Sequence, residues 1–150
     1  GLVLVLLAIA AWPLRFVAGL DASAISSRNG PAASIAQVYS SDLLEQLRQQ
    51  GRPVLVNMTA DWCATCKVNE RLVLSTDAFQ ALLKETHTAY LKGDWTNADP
   101  AITEFLQRFK AVGVPLYVVY PADGGAPEVL PALLTAGTVE QALKQAAARP

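Results

Sequence analysis

Apolar positions along the chain fall into two rhythms. Val54 to Met58 and Leu116 to Tyr120 are nearly unbroken apolar runs of strand length, as buried strands require. Thr88 to Leu91 is a shorter run of the same kind. Ala36 to Tyr39 fits a short edge strand, and Glu128 to Leu130, after the turn residues Pro121-Ala122-Asp123-Gly124-Gly125, fits a short partner strand. Elsewhere apolar residues recur every three or four positions, which is the rhythm of one helix face. Leu43, Leu44 and Leu47 follow Asp42, which with Glu45 resembles a capping box, and Gly51-Arg52-Pro53 stops that helix. A helix is expected from about Cys63 to Leu72. Ser75 is placed to cap another that carries Phe79, Leu82 and Leu83. Asp99-Pro100 reads as an N-cap followed by proline at the first helical position, with Ile102, Phe105, Leu106 and Phe109 on one face. Thr138 with Gln141 resembles a further capping box at the start of the last helix. Strands alternating with helices predict an α/β sandwich with the sheet in the middle.

The first residues follow neither rhythm. Leu2 to Leu14 carries no charge, and Arg15 then precedes Phe16-Val17-Ala18-Gly19-Leu20. A spanning helix needs about 20 apolar residues, so residues 1–20 read as the exit end of a transmembrane helix. Trp12 and Phe16 suit the interface, and Arg15 can snorkel there. A signal peptide ending near Ala22-Ser23-Ala24 and a buried core helix are the competing readings. Arg15 taken alone would place that end in the cytoplasm. Residues 21–35, rich in Ala, Ser, Gly, Asn and Pro, read as a linker, and residues 36–150 as the folded domain.

Composition adds bounds. The chain has 150 residues, 52% of them hydrophobic, which suits one domain plus an appendage. A net charge of −1 leaves no electrostatic footprint for nucleic acid. Gly at position 1 and a single Met, at position 58, give the expectation of a fragment or a processed chain.

The chemistry sits where the strand Val54–Met58 gives way to a helix. Cys63 and Cys66, the only two cysteines, stand there at a C-x-x-C spacing. If Cys63 opens the helix, its sulfur faces unpaired backbone N–H groups and the positive end of the helix dipole, both of which favour thiolate. That makes Cys63 the candidate nucleophile. Cys66, one turn deeper on the same face, is the candidate resolving thiol. The same pair could be half of a zinc site or a structural disulfide. Zinc needs about four ligands, and one histidine, His87, does not complete the set. A disulfide over so short a loop constrains little of the unfolded chain. Redox exchange is the favoured reading, with no metal and no small cofactor.

Trp62-Cys63-Ala64-Thr65-Cys66-Lys67 after a hydrophobic strand resembles the thioredoxin superfamily. Gly113-Val114-Pro115 immediately before Leu116 is similar to that family's cis-proline loop, although the residues alone also fit a trans proline at a strand start. A narrower likeness rests on Asn57 to Glu70, on Lys92-Gly93-Asp94-Trp95-Thr96-Asn97 and on Asp99-Pro100-Ala101-Ile102. Together these resemble the C-terminal periplasmic domain of DsbD-type thiol:disulfide interchange proteins, including the ScsB-like branch, over residues 36–146. The Asp-Trp-Thr segment is more specific than the C-x-x-C itself.

The resemblance implies a thioredoxin-like fold, a central mixed β-sheet flanked by helices, with Pro115 in cis beside the dithiol. It also implies a monomeric domain at the periplasmic face of a bacterial inner membrane. There it would take electrons from an adjoining transmembrane domain and pass them to periplasmic proteins. A tethered reductant for cytochrome c maturation is the near alternative. A thioredoxin-fold binding module whose disulfide stays closed is the alternative of a different class.

Other residues carry narrower expectations. Asn57 stands where such domains often have a buried aspartate, and an amide cannot take a proton. Glu70, one turn beyond Cys66, matches a glutamate near the dithiol in DsbD-type domains and would act on the thiol by like-charge repulsion or as a local acid/base. A solvated helix glutamate is the plainer reading. Trp62 is expected to pack beside Cys63 on the docking surface, Asp61 to be exposed, Lys67 to lie on the helix surface, His87 to have no catalytic part, and Trp95 to belong more to core than to contact.

Overall fold

The computed structural model describes residues 35–148. The membrane-helix end expected over residues 1–20 and the linker up to residue 34 lie outside the described residues. Within them, no helix is long and apolar enough to cross a membrane.

The chain runs β1 (Gln37–Val38), α1 (Ser41–Gln49), β2 (Val54–Thr59), α2 (Ala64–Asn69) continued by a π-helical turn (Glu70–Leu74), α3 (Asp77–Glu85), β3 (Ala89–Asp94), α4 (Pro100–Arg108), β4 (Leu116–Tyr120), β5 (Glu128–Val129) and α5 (Ala136–Ala148). The strands form one five-stranded sheet in the order β1-β3-β2-β4-β5. β1, β3 and β2 are parallel, whereas β4 runs antiparallel to both β2 and β5. This is the mixed sheet expected of a thioredoxin-like fold.

Pleating sends alternate residues of each strand to opposite faces. On one face Val54, Val56 and Met58 of β2 pack with Leu91, Leu116 and Val118, and with Leu44, Leu47, Ile102, Phe105 and Leu106 from α1 and α4. On the other, Leu55, Tyr90, Tyr117 and Val119 pack with Phe79, Leu83, Val139 and Leu143 from α3 and α5, and with Val73 and Leu74 from the π-helical turn. Every residue of β2 is buried. Asn57 therefore faces the second layer, in register with Lys92 on one side and Tyr117 on the other.

Three helix starts differ from expectation, each by a shift to a neighbouring hydroxyl. Ser40, not Asp42, caps α1: its backbone is extended (φ −144°, ψ 153°) and its side chain accepts from the Leu43 N–H, leaving Asp42 in the first turn. Thr76, not Ser75, caps α3 and accepts from the Phe79 N–H. The last helix starts ahead of Thr138, with Thr135 Oγ1 accepting from the Thr138 N–H at 3.1 Å. Asp99 caps α4 as expected, accepting from the N–H groups of Ala101 and Ile102. β3 extends past Leu91 to Asp94 because ladder pairing with Asn57, Met58 and Thr59 holds residues that are not themselves apolar.

Two consecutive residues at the end of β3 lock it to its surroundings. Gly93 is buried, and a Cβ there would overlap Met58 Sδ and lie 3.2 Å from Ile102 Cδ1. Asp94 then closes the strand: its carboxylate accepts from the Thr96 hydroxyl and, at 2.9 Å, from the Thr96 N–H. Those two bonds, helped by the charges of Lys67 and Lys92, hold the Asp94 carboxyl below its ordinary value.

Gly93→Ala should destabilise the fold by about 1–3 kcal/mol through overpacking, read from a shift in the urea midpoint with an unchanged slope. Asp94, with its lowered folded value, contributes stability above its ordinary pKa of 3.8 that disappears as the pH falls through the folded value. Asp94→Asn keeps an acceptor but not the charge. The parent should therefore be the more stable at neutral pH, with the gap closing in strongly acid solution, as urea titrations at the two pH values would report.

Candidate active site

β2 ends at Thr59, and the turn Ala60-Asp61-Trp62 carries the chain to Cys63 at the N-cap of α2. Cys63 has extended backbone (φ −85°, ψ 100°), and its Sγ accepts from the Cys66 N–H at 3.2 Å. The two cysteines are joined by a disulfide, with their Cα atoms 5.3 Å apart. Cys63 keeps 6% of its surface exposed and Cys66 none. The Val114–Pro115 peptide is cis, and Val114 packs against Ala60, Cys63 and Cys66. The loop before β4 thus lies against the dithiol, as the resemblance implies.

Beside Cys63 stands Trp62, 60% exposed. Its Nε1–H donates to the Thr96 carbonyl at 3.2 Å, and its ring centroid is 6.1 Å from that of Trp95. Trp95 is half-buried, packs against the first-face core and donates its own Nε1–H to Thr103 Oγ1 at 2.8 Å. Asp61 is exposed and pairs with Lys67 at 3.4 Å.

Beneath α2 the second sheet face is polar. Asn57 is fully buried and donates from Nδ2 to the Tyr90 hydroxyl at 2.8 Å, while its Oδ1 has no partner among the described residues. Glu70 is not freely solvated: its side chain is 19% exposed and it pairs with Lys92 and, at 3.7 Å, with Lys67. Its negative charge therefore sits between two ammonium groups. His87 lies in the turn between α3 and β3 with φ 53°. Its carbonyl accepts from the Arg52 guanidinium, and the structure groups it with Arg52 rather than with the dithiol. Among the described residues, no cluster of three or more His, Cys, Asp or Glu could hold a metal ion.

Several residues join the site that the sequence does not single out. Asn69 is buried on α2, donates to the Tyr117 hydroxyl at 2.9 Å and to the Ala132 carbonyl at 2.7 Å, and accepts from the Leu134 N–H at 3.0 Å. It fastens the dithiol helix to β4 and to the loop before α5. Burial raises the Tyr90 phenol well above its ordinary value, the nearby Glu70 charge adding to the effect and the Asn57 bond opposing it. Burial likewise raises Tyr117. Both phenols therefore stay neutral at physiological pH. Period-two alternation through β2, β3 and β4 could have placed Asn57, Tyr90, Lys92 and Tyr117 on one face, but only once the strand register was known.

Over 82 residues the chain is 40% identical to the thiol:disulfide interchange protein DsbD 1 of Pseudomonas aeruginosa, covering 55% of this chain and 13% of that protein. Over 94 residues it is 31% identical to DsbD of Yersinia pestis, covering 63% of this chain and 15% of that one. The chain thus spans a small part of the length of these relatives. The crystal structure of the oxidised DsbD C-terminal domain of Neisseria meningitidis superposes with a TM-score of 0.59 at 22% identity, covering 73% of this chain and 98% of that one. That likeness speaks for the fold. The sequence pattern of the thioredoxin-like family matches residues 35–122, and the chain belongs to that family.

Proposed function

We propose that residues 36–150 are a thiol:disulfide oxidoreductase domain, acting as a protein-disulfide reductase through Cys63 and Cys66. Its electrons come from an adjoining membrane domain and go to periplasmic proteins, the domain being held at the inner membrane by the segment before it. The observation that carries the reading is the placing of the pair: one sulfur at the surface margin on a helix N-cap, the other sealed beneath it, with a cis-proline loop against both. The names of the DsbD relatives support interchange as the chemistry.

In the reduced protein the Cys63 sulfur, at the helix N-cap, accepts backbone N–H donation that favours its thiolate form. Its thiolate attacks one sulfur of a partner disulfide; that S–S bond breaks and the other partner sulfur leaves as a thiolate, which takes up a proton. Cys66, deprotonated, then attacks Cys63 Sγ. The Cys63–Cys66 bond forms, the mixed disulfide breaks, and the second partner sulfur leaves. Two electrons and two protons have moved to the partner. Trp62 and Pro115 flank the attacked bond. Asn57, unable to carry a proton, and Glu70, balanced by Lys67 and Lys92, shape the field around Cys66 without relaying its proton through position 57.

Cys63→Ser should abolish reduction of a disulfide substrate, and Cys66→Ser should accumulate a mixed disulfide visible on a non-reducing gel. A Cys63→Ser variant that still docks partners while the parent never turns over would point to the binding module instead. Alkylation of the reduced chain at neutral pH should label Cys63 faster than Cys66; the reverse order would exchange the two roles. The equilibrium potential against a glutathione buffer should lie near the thioredoxin value of about −270 mV. A value near about −120 mV would reverse the assigned direction of electron flow.

A further inference from the structure

Asp94-Trp95-Thr96 takes no part in exchange between the sulfurs, yet its contacts converge on the residues that carry them. The Trp95 N–H donates to the Thr59 carbonyl at 2.7 Å, at the point where β2 ends. The Asp61 N–H donates to Thr96 Oγ1 at 2.9 Å. The Trp62 indole N–H donates to the Thr96 carbonyl at 3.2 Å. The Trp95 ring stands against the Trp62 ring on one side. On another its Cζ3 lies 3.6 Å from where a side chain on Gly113 would begin, which places it behind the loop that carries cis Pro115.

The direction of these bonds is fixed by chemistry. An ionised carboxylate only accepts, so the single Thr96 hydroxyl proton points at Asp94 and a lone pair is left for the Asp61 N–H. Asp94 therefore orients Thr96, and Thr96 holds the turn at two points, through its hydroxyl and through its carbonyl. Trp62 is 60% exposed, and a free tryptophan so exposed would have to be ordered each time a partner docked. Tethered at its indole nitrogen, it is ordered beforehand.

We propose that Thr96, oriented by Asp94, is a positioning residue that holds Trp62 and the Ala60–Trp62 turn as a preformed docking face for protein disulfides beside Cys63. This rests on the exchange role proposed above. A small disulfide needs only the Cys63 sulfur, whereas a folded partner must also seat against Trp62. The two kinds of substrate thus separate positioning from chemistry.

The test uses the full chain, with insulin as the protein disulfide and oxidised glutathione as the small one. Thr96→Val keeps the side-chain shape and removes the hydroxyl. Its KM for insulin should rise about three- to tenfold, the effect of losing one pre-ordered side chain, with kcat little changed and the glutathione rate within about twofold of the parent. Thr96→Ser should restore the parental KM. The heteronuclear NOE of the Trp62 indole N–H should fall in Thr96→Val and recover in Thr96→Ser. If Thr96→Val does not fold, Asp94→Ala, at an exposed position, should show the same KM rise. An unchanged insulin KM, or equal losses with both substrates, overturns the proposal. A parent that reduces neither substrate instead overturns the exchange reading on which it rests.

Discussion

Strand β2 is paired along both edges, to β3 and to β4, and covered on both faces, so that each of its residues is buried. Strands β3 and β4 are also paired on both edges, but along only two residues each on the outer side. Strand β2, so enclosed, cannot slip by one residue, because that would send Val54, Val56 and Met58 to the wrong layer and bring Asn57 into an apolar one. The point at which it emerges is therefore fixed, and the turn at its end delivers Cys63 to one place. The disulfide, the helix cap and the contact with Val114 all follow from where β2 stops.

The layer under α2 works differently. Asn57, Asn69, Tyr90 and Tyr117 are buried polar groups joined in pairs, and such groups cost free energy when a partner is removed. They give the dithiol helix a seat defined by direction as well as by packing. Glu70 with Lys92 and Lys67 closes the same layer at its margin. The side beneath Cys66 is thus polar and paired except at Asn57 Oδ1, while the side beside Cys63 presents the exposed Trp62 ring.

What the sequence discloses, and what it hides, follows the range of the interactions. β4 is legible to the residue, because its apolar run begins right after Pro115 and ends right before Pro121. α4 is legible because Asp99 and Pro100 mark its start by local rules alone. The capping residues of α1 and α3 are misplaced by one or two positions, since several residues able to cap stand together and only the backbone decides which one is extended. β3 is read too short because Lys92, Gly93 and Asp94 take their strand character from β2. The dithiol and the turn that holds it are plain in the sequence. The Asn57–Tyr90 bond and the grip of Thr96 on Asp61 and Trp62 join residues more than thirty positions apart, and no local pattern marks them. The cis peptide at Pro115 was legible only through family likeness.

The outermost strands are the shortest, at two residues each. Each carries an exposed valine, Val38 and Val129, of the kind that invites another chain to lie alongside. Two residues offer too few ladder bonds to template a further strand, so the sheet resists edgewise growth into aggregates. The two valines are thereby left as isolated apolar side chains rather than as an edge that another chain could extend.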